Sequence, residues 1–275
     1  MRNTTKITAA VLATGALTFG LTACGGGEDE KAKASDPLIV AATPVPHAEI
    51  LNYIKDELAP KEGLKLEVKE FTDYVQPNQA TEDGSVGANY FQTQPYLEDF
   101  NKKNGTHLES VATVHLEPLG LYSEKIKKAD DLKKGATVAL PNDADNESRA
   151  LRFLAANDLI TLKKGSEATA TPQDIAKNPK GLEFKEVEAA QTPRSLKDVD
   201  AAVINGNYAI GADLKPAKDA LLLESAKGND YNNVLAVTED NADDPRVKKL
   251  AKLLTSPEVK KFIEDEYAGS VLPSF

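Results

Sequence analysis

Residues 38–69 read LIVAATPVPHAEILNYIKDELAPKEGLKLEVK, and the reading of this stretch decides the fold class. Leu38–Ala42 is a short, continuous apolar run of the kind that forms a strand buried on both faces of a parallel sheet. After the turn Thr43-Pro44-Val45-Pro46, the residues Ile50, Leu51, Ile54 and Leu58 recur at helical spacing on one face. Leu64, Leu66 and Val68 then alternate with Lys65, Glu67 and Lys69, the period of a half-buried strand. Strand, helix, strand in that order is the building unit of an α/β protein.

The alternation continues outward. A helix is expected over 95–104, closed by Gly105, and strands over 110–114, 119–122, 137–140, 184–187, 201–204 and 234–237. Further helices are expected over 147–156, 172–177 and 245–254, with a last one opened by Ser256-Pro257 and running to Tyr267. No internal repeat is present. No linker is long enough to separate two consecutive domains, so if the body has two lobes the chain crosses between them more than once.

Composition narrows the function. The chain has 275 residues, 33 basic and 43 acidic, for a net charge of −10, which repels a polyanion and argues against a nucleic-acid partner. Its length is that of roughly one to two domains. One Cys, Cys24, excludes an internal disulfide and a cysteine zinc cluster.

Residues 1–23 divide into a basic head (Arg2, Lys6), an apolar run from Ile7 to Leu21 and a small-residue exit, the layout of a secretory signal peptide. The exit, Leu21-Thr22-Ala23-Cys24, looks like a bacterial lipobox, in which a lipid is joined to the Cys24 sulphur and the signal is cut just before it. Residues 24–36 (CGGGEDEKAKASD) are small and polar and read as a flexible, lipidated tether. The expected location is therefore extracytoplasmic, with the body held to the cell membrane by lipid on Cys24.

Most enzyme signatures are missing. There is no Gly-x-Ser-x-Gly elbow, no phosphate-cradling Gly-x-x-x-x-Gly-Lys-Ser/Thr loop and no Gly-x-Gly-x-x-Gly turn after a strand. His47, His107 and His115 form no closely spaced pair and read as surface or hydrogen-bonded structural residues. No catalytic residue, metal site or cofactor is expected.

Three clusters remain. Phe71–Asn78 (FTDYVQPN) and Asn89–Tyr96 (NYFQTQPY) place Phe71, Tyr74, Tyr90, Phe91 and Tyr96 in apparent loops and helix starts, where aromatics either wall an apolar pocket or pack in the core. In Pro141–Arg149 (PNDADNESR) a strand exit enters a helix, so that Asn146 is a cap or a ligand and Arg149 a surface residue or a grip for a carboxylate. Asn205-Gly206-Asn207 and Asn232-Asn233 supply amides at later strand exits, for turns or for a site.

The blocks AATPVPHAEIL (41–51), EVKEFTDYVQPN (67–78), ANYFQTQPYL (88–97), VHLEPLGLYS (114–123), ALPNDADNESRAL (139–151), EAAQTPRSL (188–196) and DAAVINGNYA (200–209) resemble the NLPA-type lipoproteins, the methionine-binding components of bacterial methionine ABC importers. The resemblance runs from Leu38 to Phe275. It implies a periplasmic-binding-protein-like fold of type II: two α/β lobes, 37–116 plus 234–275 and 117–233, joined by crossing strands near 115–121 and 233–237, with a ligand cleft between. It implies methionine as ligand, its side chain among Tyr74, Phe91 and Tyr96, its carboxylate on Arg149, and Asn146, Asn205 and Asn233 at its polar end, with Glu188 a weaker candidate for the amine. An ABC permease and its ATPase would be the protein partners. Where many relatives have His between the two glutamines of this block, the chain has Thr93, which alters one wall of the cleft and leaves open a methionine-containing dipeptide or another apolar amino acid. Loss of transport in favour of a sensor role, or an enzyme on the same fold, are the other readings.

Overall fold

A computed structural model of the chain describes residues 36–275; the expected signal segment, Cys24 and the tether up to residue 35 lie outside the described residues. Thirteen strands follow in order: β1 Leu38–Ala42, β2 Leu66–Glu70, β3 Ala88–Thr93, β4 Leu108–Leu116, β5 Gly120–Tyr122, β6 Thr137–Pro141, β7 Thr161–Leu162, β8 Ile175–Lys177, β9 Glu183–Val187, β10 Ala201–Ile204, β11 Leu222–Leu223, β12 Asn232–Thr238 and β13 Leu272–Pro273. They form a six-stranded sheet, β13-β4-β12-β3-β1-β2, a five-stranded sheet, β11-β5-β10-β6-β9, and the small pair β7-β8.

The opening β-α-β unit forms as its periodicity dictates. β1 pairs in parallel with β2, Leu38 opposite Leu66, and with β3 on its other side. Val40, Ala41 and Ala42 are accordingly buried. Ile50, Leu51, Ile54 and Leu58 lie in the first core with Val247, Leu250 and Leu254 of helix Pro245–Leu254 and Val259 and Ile263 of helix Pro257–Tyr267. Each of these last helices starts on Pro, with Asp244 and Ser256 as side-chain caps. The second sheet has its own core, in which Ala150, Leu151, Phe153 and Leu154 of helix Ala144–Ala156 meet Leu119, Leu121, Val138 and Leu140. Two sheets with separate cores make two α/β lobes.

The chain passes from the first sheet to the second through residues 117–119, after β4, and returns through 224–231, before β12. The return thus precedes the expected 233–237, which pair with β3 and β4 inside the first sheet.

Two local expectations are corrected. Residues 172–177 are not a helix: Thr171 and Asp174 close a single turn at Pro172–Asp174, and Ile175–Lys177 then pairs with β7. Six residues are too few to hold a helix alone, and the strand that begins at β-branched Ile175 gains a ladder instead. Tyr90 and Phe91 lie not in a loop but in β3, a central strand between β1 and β12.

Leu151 is fully buried in the second core. Leu151→Ala is expected to lower unfolding free energy by about 2–5 kcal/mol, read as the urea midpoint by circular dichroism.

Candidate ligand-binding site

A cleft lies between the lobes, lined by Tyr74, Phe91, Gln92, Thr93, Tyr96, Glu117, Asn146, Arg149, Asn205, Gly206, Asn207 and Asn233. Its position follows from topology. Phe91–Thr93 end β3, Asn146 and Arg149 follow β6, and Asn205–Asn207 follow β10, so the carboxyl ends of parallel strands from both sheets face one another.

The apolar wall is a triangle of rings: Tyr74 and Phe91 have centroids 5.9 Å apart, Tyr74 and Tyr96 5.7 Å, and Phe91 and Tyr96 6.1 Å. Two sequence clusters meet to build it. Asn78, in the helix Gln76–Glu82, exchanges amide hydrogen bonds of 2.7 and 2.8 Å with Gln92 of β3, and Asn89 donates to Asn78 and Thr81. All four are buried, so the network fixes the loop carrying Tyr74 against the strand carrying Phe91. Thr93 lines the cavity and also caps the helix Gln94–Asn104, its hydroxyl accepting from the Tyr96 N–H at 3.4 Å. Across the cleft the Tyr74 hydroxyl donates to Asn207 Oδ1 at 2.5 Å and the Tyr208 hydroxyl to Thr72 O at 3.2 Å.

The polar wall centres on Arg149, only 3% exposed. Its Nε and Nη2 donate to the two carboxylate oxygens of Glu224 at 3.0 and 2.5 Å, and Nη2 also donates to Glu117 O at 3.0 Å. Burial is the largest single influence and would push the Glu224 carboxyl up, but the Arg149 charge and hydrogen bonds together with those from the Leu119 N–H and Asn229 outweigh it and hold the carboxyl below the usual carboxylate range. Asn205 Nδ2 donates to Asn146 Oδ1 at 2.7 Å, and Asn146 Nδ2 to Asp143 at 2.9 Å. Asn205 Oδ1 is buried without a partner among the described residues. A buried carbonyl left so costs about 1–3 kcal/mol, which a donor inside the cavity would recover.

Beneath these residues lies a network that sequence reading missed. His47 Nε2 faces two acceptors, Asn233 Oδ1 at 3.0 Å and Glu117 Oε1 at 3.3 Å, so it carries the hydrogen and Nδ1 accepts from the Thr43 hydroxyl at 2.7 Å. His115 Nε2 donates to the same Glu117 oxygen at 2.8 Å, while the Tyr90 hydroxyl donates to its Nδ1. Burial lowers the His47 pKa to about 4 and that of His115 to about 3, so both rings are neutral near pH 7. Burial also raises the Glu117 carboxyl, against the lowering effects of His47, Arg149 and the Asn207 N–H. His47, His115 and Glu117 are a set whose ligating atoms lie within 4.8 Å of one another and could approach a cation. Every ring nitrogen nevertheless has a hydrogen-bond partner, and the network closes without an ion.

Eight of the nine residues marked from sequence line this one cavity: Tyr74, Phe91, Thr93, Tyr96, Asn146, Arg149, Asn205 and Asn233. Glu188 does not. It is exposed at the exit of β9, the edge strand of its sheet and one strand beyond β6. The carboxylate in the cavity is Glu117, at the passage between lobes. Its signal in the sequence is a lone acid, before Pro118, in the run from Val114 to Tyr122, which is apolar apart from it and His115.

Two lobes of α/β architecture around one amphoteric cleft define a substrate-binding protein of the two-lobed kind, and the comparisons agree. The NlpA lipoprotein family profile matches residues 38–275, and the chain belongs to that family. The methionine-binding lipoprotein MetQ of Bacillus subtilis is 43% identical over 257 residues, covering 92% of this chain and 93% of that protein. A nutrient-binding protein from Burkholderia cenocepacia, solved bound to methionine, superposes with a TM-score of 0.84 at 46% identity, covering 86% of this chain and all of its own. A periplasmic substrate-binding protein of an ABC transporter from Coxiella burnetii superposes with a TM-score of 0.83 at 42% identity, covering 86% of this chain and 100% of its own.

The buried imidazoles set an acid limit. A histidine whose folded pKa is depressed contributes stability that is full above its unfolded value near 6.5 and is lost as pH falls through the folded value. Between pH 6.5 and 4 His47 alone is expected to cost on the order of 3 kcal/mol. Urea midpoints should therefore fall steeply over that window in the native chain and more shallowly in a His47→Gln, His115→Gln double variant.

Proposed function

We propose that this chain is the ligand-capturing lipoprotein of an ABC importer, and that it takes methionine, L-methionine first, into the cavity between its lobes. The observation that carries the reading is the pairing, in one cleft, of a three-ring apolar wall with Arg149, Glu117 and the unpartnered Asn205 carbonyl. Such a lining suits a zwitterion with an apolar side chain. The rings take the thioether, for which sulphur–aromatic contacts contribute about 0.3–1.5 kcal/mol. Arg149 Nη1, which donates no hydrogen bond to any described residue, takes the carboxylate. The Glu117 carboxylate and Asn205 Oδ1 take the ammonium, with Asn146 and Asn233 holding these groups in place. The methionine bound to the Burkholderia protein supports the ligand class.

The work of the subunit is capture, closure of the lobes and release to a membrane permease driven by its ATPase, with no bond made or broken. In this reading the lobes follow the expected division, 37–116 with 234–275 and 117–233, save that β12 joins the first sheet from Asn232. Cys24, lipidated after removal of 1–23, anchors the body outside the membrane through residues 24–36; no described helix is long and apolar enough to cross a membrane. That the Bacillus relative is a lipoprotein supports that placement.

Isothermal calorimetry on the soluble body tests the site. Arg149→Ala should weaken L-methionine binding by about 2–5 kcal/mol with the folded circular-dichroism spectrum retained, and an unchanged affinity would sink the assignment. D-methionine and a glycyl-methionine dipeptide are titrated alongside, with L-methionine expected to bind most tightly. Cys24→Ser should move the full-length protein from the detergent-rich to the aqueous phase on phase partitioning.

A further inference from the structure

Glu224 is absent from the lining of the ligand cavity. It lines a different, larger and more open space, together with Tyr231, Arg152 and Asp145, while Arg149 borders both spaces. The guanidinium is thus a partition between two cavities, and what holds it upright is Glu224. The carboxylate takes Nε and Nη2 in a two-point fork, with side chains 4% and 14% exposed. The Tyr231 ring covers the same group at 4.2 Å.

Glu224 is itself fixed by the other passage between the lobes. Its N–H donates to Leu119 O at 2.8 Å, and its Oε2 accepts the Leu119 N–H at 3.1 Å. Arg149 Nη2 reaches the same passage at Glu117 O. One carboxylate therefore ties 117–119 to 224–231 and presents Arg149 from their junction. A guanidinium without this fork keeps a single backbone acceptor and a roomy space on its outer side into which to turn.

We infer that Glu224 is a positioning residue for ligand recognition: by occupying the Nε–Nη2 edge of Arg149 from outside the cavity, it fixes the guanidinium so that Nη1 alone meets the ligand's carboxylate. The inference rests on the reading that Arg149 receives that carboxylate. It makes selectivity for a free carboxylate a property of a residue that never touches the ligand. A charge-assisted, two-point fork has the directional strength for the task, and an amide in its place offers one acceptor where the guanidinium needs two.

The test is the ratio of affinities for L-methionine and L-methioninamide, which differ only in the carboxylate, measured by calorimetry at pH 6 for the native body and Glu224→Gln. The native ratio should favour methionine by at least about a hundredfold, and in Glu224→Gln it should fall by about tenfold or more while the amide's affinity is retained. A role confined to tying the two passages would lower the melting temperature and leave the ratio unchanged, and a fall smaller than tenfold overturns the inference. If the native protein itself fails to prefer methionine, Arg149 does not receive the carboxylate, and the reading beneath the inference falls first. Glu224→Asp keeps the charge but withdraws it from the fork by one methylene; it should lower the ratio in the same direction, and it decides the matter if the Gln variant does not fold.

Discussion

A guanidinium buried between two lobes is the constraint around which the rest is arranged. Taking a charge out of water costs several kcal/mol unless it is paired and its donors are satisfied. Arg149 meets that cost through Glu224, the Glu117 carbonyl and the Tyr231 ring, drawn from the two segments that join the sheets. The compensation thus comes from the passages and not from either core. The lobes meet where the charge is, and the residue best able to hold an anion stands at their hinge.

The second buried charge obeys the same logic from the opposite sign. Glu117 is surrounded by neutral donors: two imidazole N–H groups from the first lobe and the Asn207 N–H from the second. Neutral rings are suited to this place, because an imidazolium would cancel the carboxylate and leave nothing to meet a cation. Gly206 shows how closely the second lobe approaches: a Cβ there would lie 2.8 Å from Glu117 Cβ and 2.9 Å from Oε2. The approach of the strand exit to the carboxylate requires a residue without a side chain.

The elements with one clear period were legible from the amino-acid sequence. The strand Ala201–Ile204 and the helix Pro245–Leu254 have bounds fixed by local signals, an apolar run in one case and a Pro start with a helical stripe in the other. β3 was not legible as a strand, because it is buried on both faces and its Asn89 and Gln92 are satisfied by residues 8 to 14 positions away, a pairing that no local pattern reveals. The residues lining the cavity were visible as unusual side chains at strand exits, but which acid joins them was not. Glu117 and Glu188 both follow strands, and only the order of strands in the sheets separates a central passage from an outer edge. The pairing of His47 with His115 was likewise invisible, since it depends on β4 running beside β12, whose Asn233 bonds one ring.

Directed contacts cross the mouth of the cleft, beside the packing of Ile210, from the helix Gly206–Gly211, against the first core. Tyr74 to Asn207 and Tyr208 to Thr72 are two side-chain hydrogen bonds across the mouth, and the Tyr74 and Tyr208 rings lie 4.9 Å apart. Hydrogen bonds of this kind contribute about 0.5–1.5 kcal/mol each, and an aromatic pair about as much. Their sum is smaller than the roughly 5.5 kcal/mol needed to carry a two-state equilibrium from one extreme to the other. A group that touches both lobes at once adds to these contacts. The cavity is built for such a bridge: the rings belong to the first lobe, Arg149 and Asn205 to the second, and Glu117 to the passage between them. A molecule with an apolar end and a charged end spans that boundary by its own chemistry, so that recognition and closure draw on the same contacts.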